Sequence, residues 1–228
     1  MNVQILQLVD GAKAASGITV IIDVFRAFSL EAYIMAAGAE RVIPLGDKDL
    51  AYKLKEENPD MVLAGERAGK ILPGFDLGNS PSQLADVDVK GKTVIHTTSA
   101  GTQGIANAVN ADEILGASLV NARATAEYIK KKNPETVSLV CMGLAAKEET
   151  EEDTLCAEYI KSILEGKEFD LENGIESLKY TSGAKFFDKA RNEVFPEEDF
   201  YLCVQVDKFD FALRLKNVEN GIDYMEKI

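Results

Sequence analysis

The sequence predicts an α/β fold, a layered α/β/α arrangement on a mostly parallel or mixed sheet, and three observations carry that prediction. Short β-branched runs alternate along the chain with stretches of helical periodicity. The 228 residues, 46% of them hydrophobic, suffice for a substantial core, as one large domain or two intimately joined lobes. No internal repeat, low-complexity tract or linker interrupts them.

Taken in order, the runs at 3–9, 18–23, 41–45, 61–65, 93–97, 113–115, 136–142 and 200–206 read as strands. Residues 29–37, SLEAYIMAA, are apolar and Ala-rich, with Ser29 placed as an N-cap. The stretches 47–57 and 123–132 are amphipathic, and 151–164 forms another helix behind Thr150, where T-E-E-D resembles a capping box. After Gly166 the pattern loosens into helices and loops as far as Arg191. The apolar tail FDFALRL, 209–215, suits a last strand or an interface between copies, which leaves a homo-oligomer open.

Charge narrows the partners. A net charge of -13 and a pI near 4.6 argue against nucleic acid and anionic membranes, so an anionic substrate must meet local positive charge. No apolar run reaches the roughly 18 residues of a membrane span, and MNVQILQLVDG lacks a basic leader, so a cytoplasmic protein is expected. Cys141, Cys156 and Cys203 stand far apart without a C-x-x-C pair and read as buried thiols.

Open α/β sheets bind ligands beyond the carboxyl ends of their strands. The residues just past those ends form a consistent set: Asp23 to Ser29 (DVFRAFS), the loop 65–81 (GERAGKILPGFDLGNSP), Thr97 to Thr102 (TTSAGT), and the acids from Glu148 to Asp153. Carboxylates, cations and hydroxyls on one face suit an anion held beside a hard divalent cation such as magnesium. Asp23, directly after Val20-Ile21-Ile22, falls at the rim of a buried sheet. Arg26 suits bidentate phosphate recognition or an ion pair with Asp23. The small and hydroxyl residues Thr97, Thr98, Gly101 and Thr102 before a helix suit phosphate oxygens. Asn79-Ser80-Pro81 reads as a helix start with Pro81 at its first position. His96, the single histidine, sits in an apolar strand and reads as a core residue.

Several chemistries are excluded. Neither G-x-x-x-x-G-K-[ST] nor G-x-G-x-x-G occurs, no cysteine has an arginine six positions on, and Asp23-Val24-Phe25 lacks the second aspartate of haloacid-dehalogenase-type phosphatases.

DVFRAFS after an apolar strand, GER-x-G followed by PGFD-x-GNSP, TT-x-x-GT opening a helix, and EED-x-x-x-A together resemble the 2-phosphosulfolactate phosphatase family, over most of the chain. Phe25, Phe28, Ala100 and Gln103 depart from that family's DVLRATS and TT-x-NGTR. The resemblance implies an α/β enzyme that hydrolyses (R)-2-phospho-3-sulfolactate to 3-sulfolactate and phosphate with magnesium, in coenzyme M biosynthesis. It implies Asp23, Glu66, Asp76 and Asp153 as metal ligands, and Asp23, Arg26, Glu66 and Arg67 as the catalytic set. Lys70, Asn79, Ser80, Thr97, Thr98, Gly101 and Thr102 would bind the substrate. A hydrolase of another small phosphorylated carboxylate and a non-catalytic sensor of an anionic metabolite remain as alternatives.

Overall fold

The computed structural model describes residues 1–218 and 221–228. Along the chain run β1 (Asn2–Gln7), α1 (Leu8–Ala14), β2 (Gly17–Ile22), α2 (Ala27–Ala36), β3 (Arg41–Pro44), α3 (Lys48–Glu57), β4 (Val62–Arg67) and the two-residue β5 (Lys70–Ile71). Then come β6 (Thr93–Thr97), α4 (Gly101–Asn107), β7 (Ala111–Ala117), α5 (Ala122–Lys132), β8 (Thr136–Cys141), α6 (Glu151–Glu165), α7 (Leu171–Leu178), α8 (Glu197–Cys203), β9 (Leu213–Lys216) and β10 (Tyr224–Lys227).

These strands make one ten-stranded sheet in the order β1-β8-β2-β7-β9-β10-β3-β6-β4-β5. The four strands β1, β8, β2 and β7 are mutually parallel, as are β3, β6 and β4. The antiparallel β9–β10 hairpin joins the two parallel groups. The expected mixed α/β sheet is therefore present, and the apolar tail supplies one of its joining strands.

Alternation along β2 divides the core. Ile21 packs with Phe28, Leu30 and Ile34 of α2, while Val20 and Ile22 face Ala126, Cys156 and Ile160 from α5 and α6. A third cluster places Leu54 of α3 on Ile43, Leu63 and Ile95. Helices thus cover both faces, and all three cysteines are buried as expected.

The sheet curls. Five strand steps separate β2 from β6, which is about 24 Å across a flat sheet. Yet Gly101, just past β6, donates its N–H to Asp23, just past β2, at 3.0 Å. Val42 and Val94 from one parallel group, Val140 from the other and Met225 from the hairpin share one cluster with α2, so the sheet wraps around that helix and brings distant strand ends together.

Some elements differ from expectation. The first strand stops at Gln7, and Leu8, at φ 61°, turns the chain into α1. Residues 200–206, read as a strand, lie largely in α8, where Pro196 followed by Glu197, Glu198 and Asp199 supplies a strong helix start that outweighs the β-prone Phe200 and Tyr201. Ser29 sits inside the first turn of α2 and donates to the Val24 carbonyl instead of capping. Thr150 occupies the N-cap of α6 without a side-chain cap bond. Among the described residues no helix is long and apolar enough to cross a membrane.

Candidate functional site

Where the sheet closes on itself, a cavity of about 200 Å³ is lined from the ends of β2, β4, β6 and β8 by Asp23, Glu66, Thr98 and Gly143, and from the C-terminal region by Lys185 and Arg191. One wall is acidic. Asp23 accepts hydrogen bonds from the Ala27 and Gly101 N–H groups at 3.1 and 3.0 Å, and Glu66 from Ser99 and Gly69 at 2.8 and 2.6 Å. Asp153, in the first turn of α6, accepts from Val24 and Gly143 at 2.8 Å each. Each carboxylate therefore fastens two loops beyond different strands, and the site is built by its own acids. Gly101 is needed here: a Cβ would meet the Ala27 Cβ at 3.1 Å and Asp23 Oδ2 at 3.2 Å.

The acids are close enough to disturb one another. Burial, reinforced by the Glu152 and Glu66 charges, lifts the Asp23 carboxyl from 3.8 to about 6. Burial, with Glu152 and Asp23 beside it, also pushes Asp153 well above the ordinary carboxylate range. Glu152 is buried, and among the described residues its Oε2 has no hydrogen-bond partner.

Cations line the same cavity. Arg26 is buried and pairs with Asp199, also buried, at 2.6 Å, instead of with Asp23. Asp199 further accepts from Ser80 Oγ at 2.6 Å and the Ser82 N–H at 2.9 Å, so α8 fixes both Arg26 and the end of the long loop. Asn79 is buried between this cavity and a neighbouring one of about 270 Å³, and among the described residues its Oδ1 has no donor. Lys70 is exposed and lines the neighbouring cavity with Arg26 and Ser80.

Other expected site residues are placed differently. Arg67 donates to the Glu66 and Gly46 carbonyls and to Thr97 Oγ1, at 2.7, 2.9 and 2.9 Å, which commits both residues to bracing the β4 and β6 ends. The Gly101 N–H is taken by Asp23 and the Thr102 N–H by Thr98 Oγ1, so neither is free for a phosphate oxygen. Asp76 lies away from the cavity: its carboxylate accepts from the Leu63 N–H at 2.8 Å and pairs with Lys55 at 3.4 Å. Ser80 precedes Pro81 as expected, but its hydroxyl bonds Asp199 and caps nothing. His96 is a core residue, its Nδ1 at 2.8 Å from Glu31.

Sequence reasoning missed Lys185, Arg191, Phe195 and Asp199, and it left Glu152 among the acids past β8 without a role of its own. The signal for Lys185, Arg191 and Phe195 was basic residues set among aromatics, AKFF at 184–187 and Arg191 before Phe195, in a stretch without clear periodicity.

A model of 2-phosphosulpholactate phosphatase matches residues 4–218. The chain belongs to that family. It is 33% identical over 219 residues to a probable 2-phosphosulfolactate phosphatase of Bacillus subtilis, covering 95% of this chain and 94% of the relative. It is 34% identical over 212 residues to a Caldanaerobacter subterraneus protein of the same description, covering 87% of each chain. A Thermoplasma volcanium relative, likewise described, is 32% identical over 211 residues, covering 90% of this chain and 93% of the relative. The family match includes every strand end that builds the cavity, and the acids, the cations and Asp199 all fall within it.

Proposed function

We propose that this chain is a magnesium-dependent phosphatase that hydrolyses (R)-2-phospho-3-sulfolactate to 3-sulfolactate and inorganic phosphate. The observation that carries the reading is one small cavity lined by both carboxylates and cations, in a member of a phosphatase family. Such a cavity accepts a polyanion only if the acids are also neutralised, which a divalent cation does.

Among the described residues no three acidic, histidine or cysteine side chains form a ready metal cage. Magnesium characteristically uses one or two carboxylates and completes its shell with water and substrate phosphate. Asp23 and Glu152 would hold it: their like charges repel each other, and among the described residues Glu152 Oε2 is buried without a partner. Bound there, magnesium would spread the phosphoryl charge.

Arg26, fixed by Asp199, presents its remaining N–H groups to the phosphoryl oxygens. Water attacks phosphorus as the ester P–O bond breaks. The proton the water loses passes, by way of a carboxylate lining the cavity, to the departing alkoxide, which leaves as the alcohol. The acids and Arg26 reach the cavity from a rigid sheet, so little reorganisation is needed.

The test is phosphate release from phosphosulfolactate and a panel of small phosphomonoesters, with magnesium and with chelator. Magnesium-dependent release that favours phosphosulfolactate is expected. Preference for another phosphorylated carboxylate would move the reading to that substrate, and binding without turnover would turn it into a sensor. Trapping an acyl-phosphate on Asp23 would overturn attack by water.

A further inference from the structure

The segment after α7 folds over the cavity and brings a lysine into an unusual setting. The Lys185 ammonium lies 5.5 Å from the ring centres of Phe25 and Phe186 and 5.7 Å from that of Phe195. Desolvation pulls its pKa below the ordinary lysine value and the Arg26 charge adds to this, although the nearby Glu152, Asp23 and Asp153 carboxylates oppose it. Among the described residues it makes neither an ion pair nor a hydrogen bond.

Phe195 collects charge from three sides. Arg191 stands 4.6 Å and Arg26 5.0 Å from its ring centre, with Lys185 beyond. Among the described residues, only Arg26 of these three cations has a carboxylate, Asp199, within ion-pair distance. An aromatic face offsets part of a cation's desolvation but does not replace a counter-ion. The arrangement is tightly built: a Cβ on Gly69, at φ +80°, would stand 2.9 Å from both Phe195 Cζ and Val194 Cγ1. The loop after β4 thus closes directly on the aromatic cage.

The two kinds of lining group suit different anions. A phosphoryl dianion is strongly hydrated and needs several strong donors or a metal ion to replace its water, which the acidic wall with a divalent cation and Arg26 would supply. A sulfonate spreads a single charge over three weakly basic oxygens and gives up its water easily. An ammonium among phenyl rings, with few other donors, fits the second anion and serves the first poorly.

We propose that Lys185, seated among Phe25, Phe186 and Phe195 with Arg191 at the rim, forms a sulfonate subsite that determines substrate choice, apart from the place of the phosphoryl group. This inference rests on the reading of the cavity as a phosphatase site. It places Lys185 in contact with the part of the substrate that does not react, so its effect belongs to binding of sulfonated ligands and not to phosphate release in general.

The experiment compares wild type with Lys185→Met, which keeps the apolar stem, and Lys185→Arg, which keeps the charge. Steady-state kinetics are measured on 2-phospho-3-sulfolactate and on 2-phospholactate, which has hydrogen in place of the sulfonate. Lys185→Met is expected to raise KM for the sulfonated substrate about 30-fold or more, as for loss of one partner of a desolvated charge pair. The constants for phospholactate should stay within about threefold, and Lys185→Arg should retain most of the preference. Equal losses on both substrates, no loss on either, or a Lys185→Arg as defective as Lys185→Met would overturn the subsite.

Calorimetric binding of 3-sulfolactate against lactate separates this inference from the reaction it rests on. If wild type fails to hydrolyse phosphosulfolactate yet binds 3-sulfolactate, and Lys185→Met loses that binding, the reaction falls and the subsite stands. If wild type hydrolyses phosphosulfolactate and Lys185→Met binds 3-sulfolactate as well as wild type does, the subsite falls and the reaction stands. Circular dichroism and melting temperatures of each variant confirm that folded proteins are compared.

Discussion

Asp23→Asn should make the metal-free protein more resistant to unfolding as pH rises, while nearly abolishing turnover. In the folded chain burial and the neighbouring carboxylates raise the Asp23 carboxyl from 3.8 to about 6. Below 3.8 both folded and unfolded chains carry the proton, and the shift costs nothing. Between 3.8 and about 6 the folded chain holds more protons than the unfolded one, so stability falls as pH rises; above about 6 the full penalty applies. That penalty is about 3 kcal/mol at 1.36 kcal/mol per unit. At pH 5 wild type has incurred only about half of it. Asparagine carries no charge and escapes it, but it accepts only one of the two N–H bonds from Ala27 and Gly101, a loss of about 1–3 kcal/mol that is the same at every pH. The stability difference between variant and wild type should therefore shift by about 1.5 kcal/mol in favour of asparagine from pH 5 to pH 8, or about 3–6 °C in Tm. Urea denaturation at the two pH values with chelator present reads this directly. A difference that stays flat with pH, or moves the other way, would refute the idea that Asp23 is a strained acid awaiting a cation.

Asp199→Ala should cost about 3–5 kcal/mol in urea denaturation, because it leaves the Arg26 guanidinium buried and unpaired and frees Ser80 as well; a loss under about 1 kcal/mol would show that Arg26 finds water or another partner. Arg67→Ala should lower kcat/KM less than about tenfold, since its guanidinium braces Gly46 and Thr97 and does not line the cavity. A hundredfold loss would place Arg67 on the substrate. His96→Leu should cost about 3 kcal/mol by leaving Glu31 buried without its partner, with turnover of the folded fraction preserved, because the imidazole faces α2 and not the cavity; kinetics normalised to folded protein, with a melting curve, decide between a core and a catalytic histidine.

The sequence was most legible where one local rule dominates. Residues 18–23 are a run of β-branched side chains ending in an acid, and they fold as β2 with Asp23 at its rim. Glu66, Thr98 and Asp153 likewise follow strands or open a helix, and all three are drawn to the closed end of the sheet. The rule was less informative about direction. Asp76 and Arg67 have the right chemistry at the right places along the chain, yet Asp76 turns to Lys55 and the Leu63 N–H, and Arg67 turns to the neighbouring loop. A loop's composition states which groups are available, whereas their partners depend on which strand ends lie beside it. The strand expected at 200–206 failed for a related reason: β propensity describes single residues, while the acids behind Pro196 stabilise a whole helical turn.

By itself the sequence determined the fold class and the family, and it placed most of the acids just past the strand ends, because periodicity and short motifs act over a few residues. Only the tertiary structure decided that strand ends about 24 Å apart in a flat sheet meet in one cavity. Only it could show that Asp199 holds Arg26, that Glu152 joins the acids, and that Lys185 faces them from a cage of phenyl rings. Those relations follow from the curl of the sheet around α2, which is set by packing between residues far apart in the chain, and no local pattern encodes it.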